Sequence, residues 1–226
     1  MLTGLERVAF LALVLLSITL SFATFSRMFK VISRGTDPLD WRAIIRNWPR
    51  GLAIFLSQKT LFKTRPIVGA IHAGVAWGFT LYLLVNVIDV LYGMIPNFRF
   101  LPNSMFGDVY RFFVDFFSML VLLGVVVFLF RRFIFKDKRL ETNDPVMLSP
   151  SAKKGIKRES LIVGLFIVLH VGFRFVGASF EIALHGSDYS QPGANFIASL
   201  WTNLSYSSLV LAEHISWWMA LGLILL

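Results

Sequence analysis

Long apolar runs separated by short polar segments set the pattern of this chain. Five of them, at about 5–26, 67–93, 109–133, 160–184 and 206–226, reach the roughly 20 residues an α-helix needs to cross about 30 Å of hydrocarbon. All five are predicted as helices. The first is too long for the apolar core of a signal peptide and has no small-residue cleavage site before Arg27, so it reads as a retained span. Between the first two runs the pattern changes. Over 38–62, Leu39, Trp41, Ile44, Ile45, Trp48, Leu52, Ile54, Phe55 and Leu56 alternate with Arg42, Arg46 and Arg50 at roughly helical spacing, and Pro49 is expected to break the run. That pattern suits an amphipathic segment lying in the membrane interface, with Trp at headgroup level and Arg facing phosphate. Anchoring is its plain role; a docking surface for a cytoplasmic redox partner is the sharper one. Asn143, Asp144, Pro145, Ser149 and Pro150 mark a flexible connector between the third and fourth runs. The expected fold is therefore all-α: a polytopic five-helix membrane bundle forming one domain over residues 1–226.

Composition agrees, since 56% hydrophobic residues, 23 Phe and 15% charged residues are too apolar for a soluble domain. The net charge of +9 matters through its placement. Nine Lys or Arg lie between Arg27 and Arg65 and nine more between Arg131 and Arg158, whereas 94–108 and 185–205 hold only Arg99. The positive-inside rule makes the two basic loops cytoplasmic, the N-terminus external and the C-terminus internal. Juxtamembrane basic residues meet anionic lipid, so nucleic acid is not an expected partner; the lipid bilayer is. With no cysteine, the chain has no disulfide, no thiolate ligand for an iron–sulfur cluster and no covalent haem attachment. Any haem here is a non-covalent haem b.

Three of the four histidines, His72, His170 and His214, fall inside the apolar runs. An imidazole in lipid is costly without a partner and marks a functional site, and haem iron is the obvious partner. At 1.5 Å per residue, His72 lies roughly 8 Å from the cytoplasmic face, His170 about 15 Å and His214 about 18 Å, which makes His170 and His214 nearly level and leaves His72 unmatched. The apolar end at Leu223-Ile224-Leu225-Leu226 suggests the membrane portion of a longer polypeptide, in which a later histidine matches His72. The plainer alternative for each is a ring bonded to a backbone carbonyl or hydroxyl. His185, beside Gly186, Ser187 and Asp188, is expected at the outer surface.

Intramembrane charges add a second candidate site. Arg174 shares a helix face with His170 and is expected to pair with a haem propionate or with Glu181. Asp89 stands near the outer end of the second run, and Arg111 with Asp115 forms an i, i+4 pair on the third. Glu213 adjoins His214 but points about 100° away from it. Asp89, Arg174, Glu181 and His185 together suggest a quinone pocket near the outer face, able to exchange the protons of quinone chemistry. Gly69, Gly74, Gly78, Gly164, Gly172 and Gly177 allow either a flat macrocycle or close helix approach.

The run from Lys63 to Phe79, which carries Gly69, His72, Trp77 and Gly78, and the segment Glu213-His214-Ile215-Ser216-Trp217-Trp218 resemble a known membrane domain. It is the cytochrome b part of heterodisulfide-reductase-related iron–sulfur proteins, similar to the nitrate reductase gamma subunit. The resemblance implies one or two b haems, exchange of electrons with a quinone pool, a cytoplasmic iron–sulfur protein or domain as partner, and the inner membrane of a prokaryote. It supports His72 and His214 as haem ligands. The family's second histidine on the second helix is replaced here by Tyr82, so His170 is expected to take its place and pair with His214, while His72 pairs with a residue past Leu226 in a chain cut before its iron–sulfur domain. The function expected is a membrane-bound b-type cytochrome relaying electrons between a cytoplasmic iron–sulfur partner and quinone, part of an oxidoreductase. A proton or ion transporter and a cofactor-free anchor are the alternatives; no inverted repeat supports the transporter.

Overall fold

A computed structural model describes residues 2–35, 40–102, 104–140 and 148–225. The protein is all-α and polytopic: among the described residues there is no strand, and five helices are long and apolar enough to cross a membrane, at Gly4–Ile32, Pro66–Met94, Met105–Ile134, Gly155–His185 and Tyr206–Leu225. In chain order the helices are α1 (Gly4–Ile32), α2 (Trp41–Ser57), α3 (Lys59–Thr64), α4 (Pro66–Met94), α5 (Met105–Leu129), α6 (Pro150–His185), α7 (Pro192–Ala198) and α8 (Tyr206–Leu225). The expected spans are all present, each extended by a few residues at one or both ends except α8. Two compact units divide the chain, residues 1–73 with the last two residues, and residues 74–224.

In the first unit, α1 opens on a capping box: Thr3 accepts from the Glu6 backbone N–H, and Glu6 accepts from the Thr3 backbone N–H at 2.7 Å. Within α1 only Phe10 is buried. The hydroxyls of Thr19 and Thr24 donate to the carbonyls of Leu15 and Leu20, which removes their polarity from an apolar surface. α2 runs straight through Pro49, against the expectation of a break. Proline costs the helix one hydrogen bond, the one its missing N–H would give Ile45, and the surrounding bonds hold because that turn is exposed. Gln58, left-handed at φ 48°, ends α2 and turns the chain into α3. Gly69 then lets the start of α4 come against the Leu61 backbone, where a Cβ would sit 2.9 Å from the carbonyl carbon and oxygen.

The second unit is a bundle of the rest of α4 with α5, α6, α7 and α8. Its centre is Tyr82, Val85, Val114, Val121, Val125 and Val171, with a second cluster of Phe175, Ile182, Ala194 and Ala198. Small residues set the helix spacing here: a Cβ on Gly78 would stand 2.4 Å from Val121, and one on Gly93 would stand 2.5 Å from the Trp217 ring. α5 ends in a single π-turn, Phe130–Ile134, and Arg131 there binds Asp137 through Nε and Nη2 at 2.8 and 2.6 Å. The expected connector largely lies outside the described residues; its Ser149 caps α6, with Pro150 at the first helical position.

The connection from α6 to α8 is ordered by α5. The Asp115 carboxylate, 2% exposed, accepts from the backbone N–H groups of Gly193 and Ala194 at 2.8 and 2.9 Å, satisfying the first turn of α7. Arg111 reaches Asp188 at 2.8 Å and also binds Asp108. The expected Arg111–Asp115 pair is thus replaced: α7, with Pro192 starting it, offers Asp115 two backbone donors, and each acidic neighbour of Arg111 lies nearer the bundle end.

Candidate functional site

α4, α6 and α8 bring ionisable side chains to one place in the second unit. Arg174 donates to Asp89 through Nε at 3.1 Å and Nη2 at 3.4 Å, and both side chains are less than one-fifth exposed. This corrects the expected pairing of Arg174 with Glu181: the arginine bridges to α4 instead of running along its own helix. Charges buried this way need a partner, and removing one strands the other. Trp217 Nε1 donates to the Asp89 carbonyl at 3.1 Å, tying α8 to the same point. One turn nearer the α4–α5 connection, Tyr92 Oη donates to Glu181 Oε1 at 3.0 Å. A cavity of about 70 Å³ is lined by Asp89, Tyr92, Arg174, Glu181, Glu213 and Trp217, together with Phe173 and its neighbours. Phe173 also lines an apolar groove of about 410 Å³ between α6 and α8, with Val168, Leu169, Val176, Phe180 and Ile215. Leu169 and Ile215 are exposed, so the groove opens to the side of the bundle.

Three of the four expected pocket residues, Asp89, Arg174 and Glu181, therefore meet in one cavity. His185 does not line it; it is the last residue of α6, exposed, with Nδ1 3.1 Å from the Glu181 carbonyl. Tyr92, Glu213 and Trp217 complete the lining. Glu213 is visible in the sequence as an ionisable residue inside an apolar run, the same signal that marks Asp89 and Glu181.

The histidines are placed differently from the expectation. His170 is 3% exposed, its Nδ1 lies 2.8 Å from the Ala220 carbonyl, and its ring stacks on Phe166 and meets the Tyr82 ring edge-on at 5.7 Å. Because a carbonyl only accepts, Nδ1 carries the proton in the neutral ring and Nε2 is the lone-pair nitrogen, which is how iron-binding imidazoles are commonly oriented. His214 has Nδ1 3.3 Å from the Val210 carbonyl. The contact with Ala220 sets the level of His170, and Ala220 lies six residues, about 9 Å, past His214 on α8. Side chains lean toward the helix N-terminus, which moves the His214 ring further away. The two rings are therefore not level, and His170 with His214 does not fit one haem iron. The depth reckoning failed because it measured each helix from its own assumed start. His72 lies on the part of α4 that belongs to the first unit and is exposed. Among the described residues no group of three or more His, Asp or Glu is gathered as a metal site.

Asp188, at the bundle end, is held below the usual carboxylate range: its partial burial opposes ionisation, but the Gln191 side chain, the Ser190 N–H and the Arg111 guanidinium together outweigh that.

Comparison with protein-family models, curated proteins and solved structures finds no match to this chain.

Proposed function

We propose that this chain is the membrane subunit of a quinone-linked oxidoreductase and that the cavity between α4, α6 and α8 receives the quinone headgroup. The observation that carries this reading is the junction at Phe173, where a small cavity with carboxylates, an arginine and a tyrosine in its lining adjoins a larger apolar groove open to the side of the bundle. A polar redox ring on a prenyl tail has this division, and lipid-soluble ligands enter sites of mixed apolar and polar lining. Ionisable residues inside a membrane segment mark function by their cost. Reducing one quinone takes two electrons and two protons. Glu181 and Glu213 are the groups that exchange protons at the ring, Tyr92 orients Glu181, and the Asp89–Arg174 pair presents hydrogen-bond donors to a ring oxygen. Electrons pass between the quinone and an iron–sulfur protein on the cytoplasmic side, the partner class that the family resemblance implies. A haem b, held through Nε2 of His170, of His214 or of His72 with a second ligand from elsewhere, would supply one-electron relay.

The test uses Trp217, whose ring lines the cavity. Titrating a short-chain ubiquinone into the protein in nanodiscs should quench tryptophan emission with a saturable component, and Trp217→Phe should remove that component. Quenching that only rises linearly with quinone, as partition into lipid gives, contradicts the reading.

A further inference from the structure

Behind the cavity a row of buried polar side chains continues toward the centre of the second unit. Tyr82, Asn86 and Asp89 share one face of α4, four and three residues apart. Facing them on α5 are Tyr110 and Ser118, and on α6 His170 and Arg174. The Tyr82 and Ser118 hydroxyls are 2.7 Å apart, and both residues are buried. Tyr110 packs against the core cluster that includes Tyr82, Val85 and Val114. Two atoms in the middle of this row have no hydrogen-bond partner although fully buried: Asn86 Oδ1 and Tyr110 Oη. A buried polar atom left unpaired costs about 1–3 kcal/mol, and native bundles avoid that by binding water where two or more polar groups converge. Asn86 stands one turn from Asp89 on the same face of α4, which sets an unpaired amide oxygen one turn from the Asp89–Arg174 pair. The adjoining cavity of about 70 Å³ has room for several waters of its own.

We propose that ordered water occupies the space between Asn86, Tyr110 and the Asp89–Arg174 pair, and that the row so completed carries protons between the cavity and the Tyr82–Ser118 pair. Along such a row each water and hydroxyl oxygen accepts one proton and releases another, so a proton crosses while no covalent framework changes; Asn86 Oδ1, which only accepts, holds the water in place. Arg174 fixes the sign of the field at the middle of the path, and Asp89, Glu181 and Glu213 offset it. The inner end lies beside the His170 ring. The inference goes beyond the quinone reading and does not depend on it, since neither a quinone nor a haem takes part.

The experiment follows hydrogen–deuterium exchange of the Tyr82 hydroxyl by infrared spectroscopy, with the whole protein in nanodiscs and no quinone added. The Tyr82 C–O–H band is assigned by subtracting the Tyr82→Phe spectrum. Transfer to deuterium oxide should deuterate Tyr82 as promptly as the exposed Tyr189, well ahead of the core amides of α5. Asn86→Leu, which removes the acceptor at similar volume, should slow Tyr82 severalfold, and Tyr110→Phe should do the same by removing only an oxygen. Wild-type Tyr82 exchanging no faster than the core amides overturns the proposal and needs no variant; so does an unchanged rate in a folded Asn86→Leu or Tyr110→Phe protein.

Discussion

Asp115 is the clearest case of one side chain ordering a segment far from it in sequence. Both its oxygens accept backbone N–H groups of α7, 78 and 79 residues further on. Hydrogen bonds to a charged group are each worth about 1.5–3 kcal/mol, so Asp115→Asn, which turns one acceptor into a donor, should free the start of α7. Amide-exchange protection factors over residues 186–201 measure this, and the variant should lose protection at every pH. Asp188 adds a pH dependence to the same segment. Its ionised form is favoured in the folded protein, so its contribution is complete above the ordinary aspartate value near 3.9 and is lost as pH falls through its own lower value. Protection in the wild type should therefore stay flat from neutral pH down to about 5 and drop only below about 4. A fall already at neutral pH, or an unchanged Asp115→Asn protein, contradicts these roles. At this scale the sequence made the ionisable residues visible but not their partners. Arg174 chose Asp89 across a helix interface over Glu181 on its own helix, and Asp115 chose backbone donors on a helix that its local pattern did not announce.

α2 shows what an element's periodicity settles. Trp41, Ile44, Ile45, Trp48, Leu52 and Phe55 form one exposed apolar arc, and Arg42, Arg46 and Arg50, at four-residue steps, line another side. The flanking helices α1 and α4 are of membrane length, and the expectation for α2 is a bilayer surface with the apolar arc turned into it. Each arginine near an anionic surface contributes about 1 kcal/mol. Replacing all three by Gln should therefore strip phosphatidylglycerol preferentially from the protein in native mass spectrometry, leaving phosphatidylethanolamine retention unchanged; equal loss of both lipids would contradict the surface-lying helix. The same periodicity located every membrane-length helix to within a few residues. It missed α7, which is seven residues long and held by Asp115 rather than by its own pattern, and it misjudged Pro49, because a single missing bond on an exposed turn does not end a helix.

For the whole molecule, the apolar runs made the all-α polytopic fold legible, whereas the register between helices was not. Counting residues from assumed membrane boundaries put His170 and His214 at one level; the contact of His170 with Ala220 separates them by about two helical turns. The same register, which no single helix encodes, is what assembles Asp89, Tyr92, Arg174, Glu181 and Glu213 around one cavity. The central claim is that this cavity and its groove hold a quinone, and photo-crosslinking tests it most directly. An azido-ubiquinone irradiated with the protein in nanodiscs should label peptides of α6 near Phe173 and of α8 near Trp217, and excess unlabelled quinone should suppress that labelling. Labelling spread over lipid-facing α1, or insensitive to competing quinone, would contradict it.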